Sequence, residues 1–229
     1  MISQRLADVR ERIANAAIAS GRGASDVELI IVTKFHPAEL VAELLDLGEN
    51  NFGENKDQEA AAKARRVAEL RPNSSPSWNF VGQLQSNKVK SVLTYAKTIH
   101  SLDRDSLLSE LAKQLEKNQQ TIGCFIELNL TNDPGRGGLL PENLPGFVER
   151  VLQVPRIQLL GVMAVAGLGV DPRVDFERTV RASEELQKLS PDSKYLSMGM
   201  SEDFEAAISM GATHVRIGSA ITGPRPPLT

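Results

Sequence analysis

The chain has 229 residues, 41% hydrophobic, 24% charged and 4% aromatic, with 26 Lys and Arg against 29 Asp and Glu for a net charge of -3. That length suits one α/β barrel of roughly 200 to 250 residues, and the balanced charge leaves no basic face to neutralise a phosphate backbone, so nucleic acid is not an expected partner. The lone Cys124 allows no intrachain disulfide, the N-terminus is charged and amphipathic, and no apolar run approaches the roughly 18 residues of a spanning helix, so a cytoplasmic protein without a membrane segment is expected.

In chain order, Leu6, Val9, Ile13 and Ala16/Ala17 recur at spacings of three and four before Gly21 and Gly23, which predicts an amphipathic helix over 2–20. The nearly continuous aliphatic run Val27 to Val32 predicts a strand buried on both sides, ending at Thr33-Lys34. Pro37 opens the next helix where its missing N–H costs little, with Leu40, Val41, Leu44 and Leu45 as the apolar stripe and Gly48 as the stop. The same alternation then repeats, with strands predicted at 50–53, 78–82, 98–102, 122–130, 157–165, 195–199 and 213–218. Helices are predicted between them at 57–70, 87–93, from a cap at Asp103 through Leu115, and at 142–152, 174–189 and 202–210. Such alternation implies parallel strands with crossover helices, and eight strands predict a closed (β/α)8 TIM barrel with an extra N-terminal helix, as one domain over 1–229. Thr131 to Gly138 reads as the most flexible loop and Pro224 to Thr229 as a trailing tail.

Active sites of such barrels form just beyond the C-terminal ends of the strands, and two clusters there carry chemistry. Lys34 would point into the barrel mouth, where desolvation favours the neutral amine that attacks a carbonyl; the alternative is a lysine snorkelling into solvent. Closing the barrel sets the last strand beside the first, which places Arg216, Gly218 and Ser219 next to Lys34. The loops Ser197 to Ser201 and Gly218 to Ala220 offer glycines and hydroxyls to an anion, although Ser201 is equally a helix N-cap, and Glu202 and Asp203 must then face outward. An imine-forming lysine beside an anion site calls for a ligand with both an aldehyde and a phosphate, either pyridoxal phosphate or a sugar phosphate. A permanently cationic, donor-only arginine facing a pyridine nitrogen would keep that nitrogen unprotonated and weaken the ring as an electron sink.

The remaining residues read more plainly. His36, His100 and His214 match no metal-ligand spacing and are expected to be structural or solvent-facing. Cys124 and Trp78 are expected to pack in the core, and the run Lys63 to Arg66 to form a solvated helix face. Tyr95 and Tyr195 are both placed away from the mouth.

Six stretches in order, Val32-Thr33-Lys34-Phe35-His36-Pro37, Phe52-Gly53-Glu54-Asn55, Phe80 to Lys88, His100-Ser101-Leu102-Asp103, Leu196 to Ser201 and Val215 to Gly223, resemble the pyridoxal phosphate homeostasis protein family across nearly the whole chain. The resemblance implies a barrel of the alanine racemase type, fold type III, with the cofactor bound as a Schiff base on Lys34. It further implies Ser201, Gly218 and Ser219 around the phosphate, Arg216 facing the pyridine nitrogen, and Asn55 and Met198 near the cofactor. The implied role is a cytosolic carrier or regulator of pyridoxal phosphate and related B6 vitamers without established turnover, monomeric and exchanging cofactor with acceptor apoenzymes. Two enzyme readings stand beside it. An amino-acid racemase needs a second acid/base opposite the lysine, for which neither tyrosine is well placed, and a class I aldolase would take a sugar phosphate as its carbonyl partner.

Overall fold

The computed structural model describes residues 1–131, 135–167, 169 and 171–224. Helix α1 (Ile2–Ala19) is followed by β1 (Glu28–Val32), α2 (Ala38–Asp46), β2 (Asn51–Glu54), α3 (Asp57–Leu70), β3 (Ser77–Phe80), α4 (Val89–Val92), β4 (Ala96–Leu102) and α5 (Asp105–Asn118). The chain continues through β5 (Ile122–Leu128), α6 (Leu144–Leu152), β6 (Ile157–Ala164), α7 (Pro172–Leu189), β7 (Tyr195–Ser197), α8 (Phe204–Ser209), β8 (His214–Ile217) and α9 (Ser219–Thr222). Each strand pairs in parallel with the next, and β8 returns to β1, so the eight close into a TIM-like barrel. Closure is in register: Ile30 lies opposite Arg216 and Ile31 opposite Ile217, while Ile31 on its other edge meets Phe52.

The aliphatic runs become strands because they are covered on both faces, by the barrel interior and by the helical ring. Ile30, Ile31, Ile99, Phe125 and Ile217 are all fully buried. Gly161 is required where β6 meets β7, since a side chain there would run into the Tyr195 backbone. Outside the ring, α1 buries Leu6, Val9, Ile13 and Ala17, mainly against α8 and α9. Arg5 Nε donates to the Ile221 carbonyl at 2.7 Å and Arg22 Nη1 to that of Ala212 at 2.8 Å, which ties α1 to the last β/α unit.

Several predicted boundaries move for local reasons. Asp103 does not cap α5, which starts at Asp105 after Arg104; the carboxylate instead accepts the Gly138 N–H at 3.1 Å and pairs with Arg104. Asp171 accepts the Arg173 N–H at 3.0 Å and Pro172 occupies the first turn, so α7 begins two residues before the predicted Val174. The predicted tail beyond Pro224 and the middle of the 131–138 loop lie outside the described residues. Among the described residues no helix is long and apolar enough to cross a membrane.

Since Ile13 is 2% exposed, Ile13→Ala is expected to cost about 2–5 kcal/mol in urea unfolding with an unchanged slope. A loss below about 0.5 kcal/mol would show that α1 is not part of the cooperative core.

Candidate functional site

The C-terminal ends of the strands open into a cavity of about 760 Å³. Lys34, Asn55, Ser201, Arg216, Gly218 and Ser219 all line it, so six of the seven residues singled out from the sequence converge on one space. The seventh, Met198, is fully buried in the hydrophobic core and is not among the lining residues. His36, expected to be structural or solvent-facing, lines it as well.

Lys34 stands just past β1, whose end is fixed by the Thr33 N–H donating to the Gly53 carbonyl at 3.0 Å. Gly82, on the loop after β3, allows that loop to lie directly on the Asn55 backbone, where any Cβ would collide. Across the cavity, Arg216 N–H donates to the Gly199 carbonyl at 3.0 Å, and Gly199 turns at φ +94° against Phe204 and Ala207 of α8. Ser201 does not cap that helix. The Asp203 carboxylate takes the Met200 N–H at 2.6 Å and α8 begins at Phe204, which leaves the Ser201 hydroxyl beside Ser219, 3.5 Å away. Gly218 precedes α9 and comes so close to β1 that a Cβ would sit 3.3 Å from the Val32 carbonyl oxygen.

Arg216 is 5% exposed, and its guanidinium is held by Ser197 Oγ at 2.6 Å and the Ala164 carbonyl at 3.0 Å. Burial lowers its pKa to about 10, with Glu127 and Asp203 opposing the drop, so it remains a cation at neutral pH. Behind it a polar chain crosses the barrel interior. Asn79 Nδ2 donates to Asn51 Oδ1 at 2.5 Å and to the Phe52 carbonyl at 3.1 Å, which turns Asn79 Oδ1 toward His100 Nε2 at 3.2 Å. His100 Nδ1 lies 2.9 Å from Ser197 Oγ, and burial together with the Arg216 charge holds His100 well below the usual histidine range. A neutral imidazole therefore donates at Nε2 and accepts the Ser197 hydroxyl at Nδ1, leaving the Ser197 oxygen to accept from Arg216. His100 and His214, distant in sequence, are neighbours in the barrel: their rings lie 6.5 Å apart, and Phe125 stacks on His100.

Polar residues inside otherwise apolar strands were the signal for Asn79, His100 and Glu127, because an unpaired polar group at such a position is costly. A second departure concerns the run Lys63 to Arg66. Lys63 is buried and paired with Glu54 at 2.5 Å and Glu59 at 2.9 Å, whereas Arg65 and Arg66 are exposed as expected. Cys124 is fully buried and its thiol is pushed up to about 12, and Trp78 packs on Phe52 with ring centroids 5.6 Å apart.

Glu127, at the end of β5, accepts from Gln83 Nε2, and burial reinforced by Asp103 raises its pKa from 4.5 to about 7. Between those values the folded protein holds a proton that the unfolded chain releases, so this contribution is complete below pH 4.5 and is lost as pH rises through 7. Glu127→Gln removes that titration. The stability of wild type relative to the variant, from urea midpoints, is expected to fall between pH 4.5 and 8, and a difference independent of pH would contradict the assignment.

The model of the alanine racemase N-terminal domain matches residues 6–226. Pyridoxal phosphate homeostasis proteins of Mycobacterium leprae and Pseudomonas aeruginosa are each 37% identical, over 96% and 98% of this chain and 91% and 96% of theirs. The structure of PipY from Synechococcus elongatus PCC7942 with PLP bound is 31% identical, with a TM-score of 0.85 over 97% of this chain and 100% of that one. An alanine racemase of Clostridium difficile 630, at 13% identity and a TM-score of 0.75, shares the fold over 98% of this chain and 57% of its own. With that identity sustained along nearly its whole length, the chain belongs to the pyridoxal phosphate homeostasis protein family.

Proposed function

We propose that this protein holds pyridoxal 5'-phosphate through a Schiff base on Lys34 and serves B6 homeostasis in the cytoplasm as a monomeric carrier without turnover. The observation that carries the reading is the convergence of a lysine, a pair of serine hydroxyls and a buried arginine on one cavity. The residues present suit the cofactor in a further respect. Asn55 Oδ1 is buried without a hydrogen-bond partner among the described residues, an acceptor on the cavity wall that a polar ligand would satisfy.

When bound, the cofactor supplies an aldehyde to the Lys34 amine and a conjugated ring that absorbs in the near ultraviolet and visible. Ser201 and Ser219 would donate to its phosphate, and Gly218 lets the backbone approach without steric hindrance. Arg216, clamped by Ser197 and Ala164, would present N–H donors to the ring nitrogen, and a donor-only cation keeps that nitrogen unprotonated. Such an arrangement retains the cofactor while weakening the ring as an electron sink. Neither Tyr95 nor Tyr195 lines the cavity: Tyr95 reaches toward Asp57, and Tyr195 starts β7 at the far end of the barrel against His214. His36 sits two residues from Lys34 on the same turn, so it does not supply an opposed base for racemisation. Free B6 vitamers and pyridoxal phosphate-dependent apoenzymes are the partners this reading assigns.

Cofactor-free protein mixed with pyridoxal phosphate is expected to develop an imine absorbance band that Lys34→Ala abolishes, and Ser201→Ala with Ser219→Ala is expected to weaken uptake by about tenfold or more. A wild type that takes up no cofactor, or rapid alanine racemisation by the pure loaded protein, would overturn the proposal.

A further inference from the structure

A cluster of three charged side chains, Glu54, Glu59 and Lys63, lies against the turn that carries Lys34. Thr33 to His36 forms a tight turn closed by the His36 N–H, which donates to the Thr33 carbonyl at 3.1 Å. Its third residue, Phe35, sits at φ +68°, a conformation shared among the described non-glycine residues by Gln119 alone, at the end of α5. Positive φ at that position after a negative one is the type II arrangement, which ordinarily calls for glycine; a residue with a Cβ favours type I, reached by flipping the central peptide. The central peptide here joins Lys34 to Phe35, so some interaction must hold it in the disfavoured orientation.

Glu59 provides that interaction, since its Oε1 accepts the Phe35 N–H at 2.5 Å. Lys63 Nζ holds Glu59 in place at 2.9 Å and also donates to the Thr33 carbonyl at 2.7 Å and to Glu54 Oε1 at 2.5 Å. Glu54 in turn accepts the Thr33 hydroxyl at 2.7 Å. The backbone on both sides of Lys34 is therefore fastened to Glu59 and Lys63, and Glu54 anchors both Lys63 and the Thr33 side chain; Lys63 and Glu54 are 4% and 0% exposed. Replacing a buried ion pair by apolar residues is commonly neutral or stabilising, so stability alone does not explain why charges occupy this place.

We propose that Glu59, Lys63 and Glu54 are positioning residues that hold the Lys34 turn in its type II form and so aim the Lys34 amine into the cavity. This rests on the reading of Lys34 as the cofactor-bearing residue, and it adds the device that sets how fast the amine reaches a carbonyl.

Lys63→Met would leave buried Glu54 without its cation and endanger folding, so the decisive variants are at Glu59, which is partly exposed. In cofactor-free protein, Glu59→Ala is expected to speed hydrogen exchange of the Phe35 amide by about tenfold or more while the β1 amides are unchanged. Glu59→Gln, which keeps an acceptor oxygen, is expected to restore most of the protection. With pyridoxal phosphate added, Glu59→Ala is expected to slow formation of the covalent band by about tenfold, and Phe35→Gly in the same chain to recover most of that rate, because glycine takes positive φ without being held. Unchanged Phe35 exchange, an unchanged uptake rate in Glu59→Ala, or no recovery from Phe35→Gly would each overturn the proposal. A wild type that forms no adduct would instead overturn the cofactor reading, and the exchange measurement would still decide whether Glu59 holds the turn.

Discussion

Pairing of β8 with β1 is the constraint on which the site depends. The two strands are separated by nearly the whole chain, yet Ile30 faces Arg216 and Ile31 faces Ile217 across their shared edge. A shift of that register by one residue would turn Arg216 out of the barrel and carry Gly218 and Ser219 away from the end of β1. The N-terminal helix reinforces the closure from outside, through Arg5 and Arg22 bonded to carbonyls around β8. Lysine, hydroxyls and arginine become neighbours as a consequence of barrel topology, with no local sequence proximity needed.

Once the barrel closes, its interior has to accommodate buried polar groups, and one run of them is paired in a defined direction. The chain from Asn51 through Asn79, His100 and Ser197 to Arg216 orients the guanidinium while keeping His100 neutral beside it. A protonated His100 would place a second cation next to Arg216 and compete for the Ser197 oxygen. On the other side of the mouth, Lys63 and its two glutamates fix the turn that bears Lys34. The two ends of the cavity are thus held by separate networks, one carried by strands and neutral up to its arginine, the other an ion cluster between β2 and α3.

Much of this was legible from residue order. Aliphatic runs bounded by glycine and proline marked the strands to within a few residues, and polar clusters after strand ends marked the mouth, because those signals are local. Lys63 was not legible: it lies in a run of basic residues whose neighbours Arg65 and Arg66 are exposed, and only the packing of α3 against the Lys34 turn shows that one position faces inward. Ser201 was ambiguous for a similar reason, since a serine before a helix serves equally as a cap, and only the start of α8 at Phe204, with Asp203 turned back to the Met200 N–H, shows that it is not one. The proximity of His100 to His214 depends on the barrel bringing β4 near β8, which no spacing in the chain encodes.

The central claim is that the lysine at the end of β1 carries the cofactor. Borohydride reduction of the protein loaded with pyridoxal phosphate, followed by digestion and peptide mass mapping, tests it most directly. The reduced adduct is expected on the peptide containing Lys34 at one equivalent per chain; an adduct on another lysine, or none after reduction, would contradict the account.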